Sequence, residues 1–365
     1  MKTTSKASSL YVHIPFCRQI CAYCDFAKVL YQDFFVSDYF QSLFFELKPY
    51  CNKKYKTIYI GGGTPSCLPL PILEKLLAKL APLLKKNYEF SIECNIEDIR
   101  LDLLLLLKKY KINRLSIGIQ TFQKDAIQIC QRKHTLQQAI DHIQLAASFF
   151  DNINVDMIYA LPNQTLNDVK KDLAILLDLP IQHISYYSLI IEKNTRFYYQ
   201  FQELEDYLQA KMYRLIYKEL RKKGFYRYEI SNFAKKGFQC QHNLVYWTNQ
   251  HYDAIGLNAS GYVQNTRYTN TRNLTLYNQK KYQRQCTLLN FEDKIFEEIM
   301  LHLRLDKGLS LLSFQKKFHL DFLTRYQNEI EELKQKHFIR CTKTRLKTTF
   351  QGSLLLNSIL EKFLK

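Results

Sequence analysis

No stretch of the 365-residue sequence approaches the roughly 18 consecutive apolar residues that a membrane-spanning helix requires. The longest apolar run, LDLLLLLKKY at 101–110, is ended by charge and reads as one face of a short helix. The first residues, MKTTSKASS, lack the apolar core of a signal peptide. The expectation is therefore a cytoplasmic protein, with a peripheral visit to the membrane left open. Thiols stay reduced in that compartment, so ten cysteines read as metal ligands or small buried hydrophobes and not as disulfides. A concentrated basic patch is missing as well. The net charge of +18 could attract nucleic acid or an anionic membrane, but the lysines are spread along the chain in short runs such as KK and RKK. That pattern is a compositional bias and argues against nucleic acid as a partner.

An apolar content of 47% supports a substantial core, and the length suits one large domain with a smaller one. The first two thirds alternate short β-rich runs with helix-like stretches. The strand candidates are LYVHIPF (10–16), KTIYIGG (56–62), YEFSIEC (88–94), RLSIGIQ (114–120), NINVDMIY (152–159) and ISYYSLII (184–191). Between them lie segments such as PILEKLLAKLAPLLKK and TLQQAIDHIQLAASFF, the latter with apolar residues at helical spacing. Crossovers this short place each strand beside the last, which predicts an α/β fold with an incomplete parallel (β/α)6 TIM-like barrel.

Parallel barrels present their chemistry at the carboxyl ends of their strands. Three cysteines, Cys17, Cys21 and Cys24, follow the first strand at C-x3-C-x2-C, and GGGTP (61–65) follows the second. Glu93 and Asn95 lie near the end of the third and Gln120 at the end of the fourth. Asp156 lies within the fifth, and Glu192 and Thr195 come after the sixth. A structural zinc site wants four ligands, usually as two separated pairs, and no second pair lies at matching spacing. A 4Fe-4S cube has four iron corners, so three thiolates from one loop leave one iron open to an outside ligand. The glycine run Gly61–Gly63 lets backbone approach a ligand closely, or else marks a tight turn from strand to helix.

The loop CRQICAYC resembles the signature of the radical SAM enzymes, in which S-adenosylmethionine chelates the open iron. YVHIPFC, GGGTPS, RLSIGIQTF, NVDMIYALPNQT, GFYRYEISNFA and CQHNLVYW together resemble the coproporphyrinogen oxidase-like branch over nearly the whole chain. The resemblance implies a radical SAM-type barrel in which Cys17, Cys21 and Cys24 are the metal ligands of a 4Fe-4S cluster. It also implies an electron donor for that cluster and, once reduced, cleavage of the cofactor to a 5′-deoxyadenosyl radical. Tyr11, Gly63, Thr64, Glu93, Gln120, Arg132 and Asp156 match positions that bind S-adenosylmethionine in the relatives. Their chemistry suits a zwitterion with a ribose: carboxylates for the ammonium and hydroxyls, Arg132 for the carboxylate. Each also has a plain structural reading, Glu93 or Asp156 as a strand-end ion-pair partner and Arg132 as a solvated helix residue. Tyr23 either packs on the adenine or covers the cluster.

Two departures from the oxidase point to the heme chaperone family instead. Phe26 stands where that enzyme has a further cysteine, and only 16 residues precede Cys17. CDFA and HNLVYW, with His242, Asn243, Tyr246 and Trp247, are similar to the chaperone pattern. His242 is a candidate ligand to heme iron, with Tyr246 and Trp247 as an apolar wall, or else a hydrogen-bonded structural histidine. Three positions depart from the family as a whole: Ile96 replaces a usual proline, Ala160 a glycine, and GLNASGY (256–262) lacks the glycine and histidine of a G-A-H-S segment.

The last third changes character. FEEIMLHLRLDKGLSLLSFQKKF, DFLTRYQNEIEELKQK and GSLLLNSILEKFL read as helices with HFIRCTKTRLKTTF as a hairpin between them, a mostly helical, winged-helix-like module. In the family such a module caps the barrel mouth; the basic wing (Arg340, Lys343, Arg345, Lys347) could otherwise meet nucleic acid. The expected division is 1–235 for the barrel with cluster and cofactor site, 236–289 for a connecting segment with the HNxxYW motif, and 290–365 for the module. The expected function is a heme chaperone that holds the cluster, S-adenosylmethionine and heme as bound cargo, and hands heme to a hemoprotein acceptor, a respiratory, membrane-associated one being conceivable. The rival is an oxygen-independent coproporphyrinogen III oxidase. A third reading, a radical enzyme modifying tRNA or peptide, rests on the basic charge.

Overall fold

The computed structural model describes residues 7–364; most of the N-terminal stretch read above for a targeting signal lies outside them. Six βα units run in order, each strand rich in β-branched or aromatic residues and each helix carrying an apolar face. They are β1 (Ser9–Ile14) with α1 (Asp33–Leu47), β2 (Tyr55–Gly62) with α2 (Leu70–Leu80), β3 (Leu84–Asn95) with α3 (Leu101–Lys109), β4 (Arg114–Gln120) with α4 (Leu136–Ala147), β5 (Ile153–Tyr159) with α5 (Leu166–Leu176), and β6 (His183–Ser188) with α6 (Asp206–Lys222). The short strands β7 (Tyr226–Glu229) and β8 (Asn232–Ala234), the helix α7 (Gln241–Trp247) and the strand β9 (Asp253–Ile255) follow. The sheet order is β9-β1-β2-β3-β4-β5-β6-β8-β7. Strands β1 to β6 are mutually parallel and β9 pairs parallel to β1, whereas β8 runs antiparallel to β6 and to β7. The sheet curls but does not close, as the incomplete barrel predicted.

Each strand has one apolar and one polar face. Ile58 and Ile60, Phe90 and Ile92, Leu115 and Ile117, and Val155 and Met157 point out to the helices and form one continuous core with Leu76, Leu103 and Ile143. The alternate residues point inward and are largely polar, because successive side chains of a strand face opposite sides.

One helix expectation ends early. PILEKLLAKLAPLLKK is helical only to Leu80, and a 3-10 turn at Ala81–Leu83 passes directly into β3. Pro82 lacks an amide hydrogen and cannot continue the ladder. Ala160, where the family has glycine, sits at φ +60 in a region that an L side chain enters only with strain.

Beyond β9, three antiparallel strands, β10 (Ser260–Val263), β11 (Thr266–Thr269) and β12 (Gln285–Leu288), form a small separate sheet. The segment is anchored by Glu46 of α1. This buried carboxylate accepts from the Gly256 amide (2.9 Å), Asn270 Nδ2 (2.8 Å), the Tyr277 hydroxyl (2.7 Å) and Arg284 (2.8 Å). Gly256 itself has φ +109, and a Cβ there would lie 2.5 Å from the His13 carbonyl oxygen.

The C-terminal part has its own core around Ile299, Phe314, Phe322 and Ile359. It comprises α8 (Phe291–Arg304), β13 (Leu309–Ser310), α9 (Leu311–Phe318), α10 (Gln327–Gln335), a hairpin of β14 (Ile339–Cys341) and β15 (Arg345–Thr348), and two short terminal helices. FEEIMLHLRLDKGLSLLSFQKKF is thus two helices parted by Gly308 at φ +69. The module packs on the β7 edge and α7: Arg304 pairs with Glu229 (3.2 Å), Arg227 with Asp306 (2.6 Å), and Asn249 Nδ2 donates to Glu298 (3.1 Å). Among the described residues no helix is long and apolar enough to cross a membrane.

Removing the Glu46 carboxylate strands the buried donors of Gly256, Asn270 and Tyr277, and each such loss costs about 1–3 kcal/mol. Glu46→Ala should therefore lower unfolding free energy by roughly 3 kcal/mol, read from the urea midpoint at constant m-value. A loss under about 1 kcal/mol would mean that the anchor is dispensable.

Candidate functional site

The inward-facing residues line a cleft of about 640 Å³ at the carboxyl ends of the strands. The cysteine loop forms one wall. It leaves β1 and is fixed at its base, where the Val29 amide donates to the Pro15 carbonyl (2.7 Å) and the Tyr31 amide to the Cys17 carbonyl (2.8 Å). Farther out, Gln19 Nε2 donates to the Gln131 carbonyl (2.6 Å) and the Ala22 amide to the Cys130 carbonyl (3.4 Å). Cys17, Cys21 and Cys24 all line the cleft, Cys17 buried and the other two half-buried. Among the described residues no three His, Cys, Asp or Glu side chains converge on a single ion. A cube asks for something else, since each thiolate binds a different iron corner. Burial pushes the Cys17 thiol up to about 11, with the Thr64 hydroxyl 3.6 Å from its sulfur pulling the other way, and raises the Cys24 thiol as well. Metal would have to drive their deprotonation.

The glycine turn is the facing wall. The Gly63 amide donates to the Ile14 carbonyl and the Thr64 amide to that of Phe16, both at 2.8 Å. A Cβ on Gly63 would stand 2.7 Å from the Pro15 carbonyl carbon and oxygen, and Gly62 has φ +120 with the His13 ring 2.5 Å from where its Cβ would be. Only glycine allows this turn so close to the cysteine loop. Glu93, at the end of β3, locks it by accepting from the Gly62 amide and the Tyr59 hydroxyl, each at 2.9 Å. Burial raises the Glu93 carboxyl to about 7, opposed by the Gly62 amide and assisted by the nearby Asp156 carboxylate.

Asp156 accepts from the Ser116 hydroxyl (3.0 Å) and Asn154 Nδ2 (2.8 Å), and burial raises its pKa despite these bonds. Arg132 is buried and not solvated. Its Nη1 donates to Asn95 (3.0 Å) and reaches to 3.9 Å from Cys21 Sγ, its Nη2 donates to the Gly118 carbonyl (2.7 Å) and pairs with Glu97 (3.4 Å), and its Nε has no partner. Gln120 lies beside a register shift between β4 and β5 and holds φ +76, a strained conformation that projects its amide into the cleft. The Tyr11 hydroxyl is 3.0 Å from His13 Nδ1, and Tyr23 packs against Phe197 at 6.2 Å between ring centroids. Tyr11, Tyr23, Gly63, Thr64, Glu93, Gln120, Arg132 and Asp156 therefore share one cleft with the three cysteines.

His242 lies at its inner end, fully buried and stacked on Tyr59. The Thr57 hydroxyl donates to Ser9, so His242 Nδ1 donates to Thr57 (2.7 Å) and Nε2 accepts from the Tyr246 hydroxyl (2.7 Å). Burial, and after it the Arg114 charge, lowers the imidazole to about 3. Tyr246 lines the cleft but Trp247 does not: its ring lies 4.4 Å from the Arg304 guanidinium, at the contact with the C-terminal module. None of the residues lining the cleft belongs to that module.

Two residues that the motifs did not single out complete the interior. Glu89 accepts from the Gln241 and His242 amides (2.8 and 2.9 Å) and fixes the start of α7. Arg114 is fully buried at the inner end, with Nε and Nη1 unpaired. Both were recoverable from the period of two, since Glu89-Ser91-Glu93 and Arg114-Ser116-Gly118 alternate with an apolar set.

The family model for the radical SAM superfamily matches residues 11–176, and that for the HemN C-terminal domain matches 289–355. The chain is 38% identical to the heme chaperone HemW of Lactococcus lactis, 35% to that of Bacillus subtilis and 34% to that of Escherichia coli, in each case over 98% of this chain and at least 98% of the relative. Among solved structures it superposes on coproporphyrinogen III oxidase (HemN) from Escherichia coli with a TM-score of 0.85, covering 99% of this chain and 91% of that one at 20% identity. That likeness fixes the fold.

The acidity of Glu93 yields a pH test. A cation bound beside it favours the carboxylate, so if S-adenosylmethionine binds here its affinity should fall as the pH drops through about 7, approaching tenfold per unit once the group is mostly protonated. Titration calorimetry between pH 8 and 6 should show this slope in the wild type and lose it in Glu93→Gln. The same slope in both would remove Glu93 from cofactor binding.

Proposed function

Because the chain belongs to the heme chaperone HemW family of the radical SAM superfamily, we propose that it holds a 4Fe-4S cluster on Cys17, Cys21 and Cys24, binds S-adenosylmethionine beside it, and carries heme to a hemoprotein acceptor. The observation that carries this reading is the shared cleft, in which three thiols face a glycine turn and a buried arginine. The unpaired Arg132 Nε fits an amino-acid carboxylate, and Gly63 and Thr64 line the cleft beside Cys17.

When bound, the reduced cluster supplies one electron to the cofactor. Everything else is the work of side chains. Glu93 and Asp156 accept from the ligand's ammonium and ribose hydroxyls, Arg132 donates to its carboxylate, and Gln120 offers both a donor and an acceptor to its polar edges. Tyr23 and Phe197 exclude water from the loop side. Ionised Glu93 and Asp156 close together would repel each other, and a cationic ligand relieves that repulsion. For His242 to bind heme iron, Nε2 would have to exchange the Tyr246 hydroxyl for the metal. The oxidase reading is weakened by Phe26, which stands where that enzyme has a further cysteine.

Anaerobic reconstitution separates the alternatives. Cys17→Ala, Cys21→Ala and Cys24→Ala should each abolish the broad iron-sulfur absorbance, whereas Cys51→Ala and Cys286→Ala, both exposed and outside the cleft, should keep it. Reconstituted wild type should bind heme, pass it to an apo-hemoprotein, and leave coproporphyrinogen III unchanged in the presence of reductant and S-adenosylmethionine. Full cluster incorporation in all three loop variants would remove the cluster assignment; sustained decarboxylation would return the protein to the oxidases.

A further inference from the structure

Each of the three loop thiols has a donor or a cation of its own beside it. The Thr64 hydroxyl donates to Cys17 Sγ at 3.6 Å, and Arg132 Nη1 reaches Cys21 Sγ at 3.9 Å. Beside Cys24 stands Lys28, four residues on, whose ammonium folds back and donates to the Cys24 carbonyl. The two cations differ in one respect. The charge of Arg132 is shared with Glu97 at 3.4 Å, whereas Lys28 has no carboxylate partner among the described residues. Lys28 is half-buried and lines the cleft. Burial raises the Cys24 thiol; of the groups around it the Lys28 ammonium acts most strongly, holding it down, ahead of Cys21 and Asp25, which push it up.

We infer that Lys28 raises the reduction potential of the cluster held by Cys17, Cys21 and Cys24, as the one unpaired positive charge on the loop that carries the thiols. The inference rests on the cluster proposed above and adds a residue that tunes it. Uptake of one electron from a reductant makes and breaks no bond; it adds one negative charge to a site that already carries three thiolates, and the potential of such a site follows its net charge, its hydrogen bonds to sulfur and its exposure. An ammonium fixed at the Cys24 carbonyl favours the state with the extra electron. Contact with sulfur is not needed for this, because charge–charge energy falls only as the first power of distance, and half-burial limits screening by salt. Thr64 offers a neutral dipole and Arg132 a charge offset by Glu97, which leaves Lys28 as the larger uncompensated influence.

Redox titration of anaerobically reconstituted full-length protein, without S-adenosylmethionine and followed by the electron paramagnetic resonance signal of the reduced cluster, tests this. Lys28→Gln should move the equilibrium about tenfold towards the oxidised state, a fall of about 59 mV in midpoint potential for one electron. Lys28→Arg should keep the wild-type potential. Iron content and iron-sulfur absorbance should equal wild type in both variants, since no thiol is removed. An unchanged potential in Lys28→Gln would overturn the inference while the cluster stands. An equal fall in Lys28→Gln and Lys28→Arg would overturn it too, because it would mark a clamp on the Cys24 carbonyl and not a charge. Loss of the cluster from Lys28→Gln would make Lys28 an assembly residue and likewise end its role in the potential. If the wild type takes up no cluster, the cluster assignment itself falls and the role of Lys28 with it.

Discussion

Backbone meets backbone where the glycine turn crosses the base of the cysteine loop. The amides of Gly63 and Thr64 donate to the carbonyls of Ile14 and Phe16, but these two bonds, worth about 1 kcal/mol each net, are the smaller part. The larger part is steric: with a Cβ position 2.7 Å from the Pro15 carbonyl, the turn cannot approach at all unless residue 63 is glycine. That approach places Thr64 against Cys17, brings the Gly62 amide to Glu93, and sets the width of the cleft between them. Any shift of the turn would be transmitted to all three, because each is held through it.

A polar barrel interior follows from the same arrangement. Most cores gain stability by burying apolar side chains; here the apolar face of the sheet looks outward to the helices, and the inward face carries Glu89, Glu93, Asp156 and Arg114, with His242 of α7 beside them. Burying such groups is unfavourable unless they are paired. The fold meets that cost unevenly. Glu89 is satisfied by the amides that begin α7, whereas Glu93 and Asp156 are pushed toward their protonated forms and Arg114 keeps unpaired nitrogens. The unevenness falls on the side that faces the cleft, where a ligand can complete the bonds.

The HNxxYW motif serves two surfaces of one short helix. His242 and Tyr246 face the cleft, while Trp247 lies under Arg304, which in turn pairs with Glu229 at the sheet edge. The motif thereby joins the barrel interior to the C-terminal module. The module carries no residue into the cleft.

The sequence alone determined the order of the strands, because short crossovers leave parallel strands no freedom but to lie side by side. It also determined which strand ends would carry polar groups, and the loop C-x3-C-x2-C with its facing GGGTP. Local pattern suffices for such features, since they depend on residues close together in the chain. Tertiary structure decided the rest. Whether His242 is free could not be read from HNLVYW, because its partners Thr57 and Tyr246 come from a distant strand and from its own helix turn. Arg132 looked like a solvated helix residue and is buried, since Asn95, Gly118 and Glu97 converge on it from two other strand ends. The anchor at Glu46 joins residues more than 200 positions apart and leaves no local trace. Nor could the sequence show that Thr64 and Arg132 come to the sulfurs of Cys17 and Cys21, because these pairs lie 47 and 111 positions apart and only the packed chain brings them together.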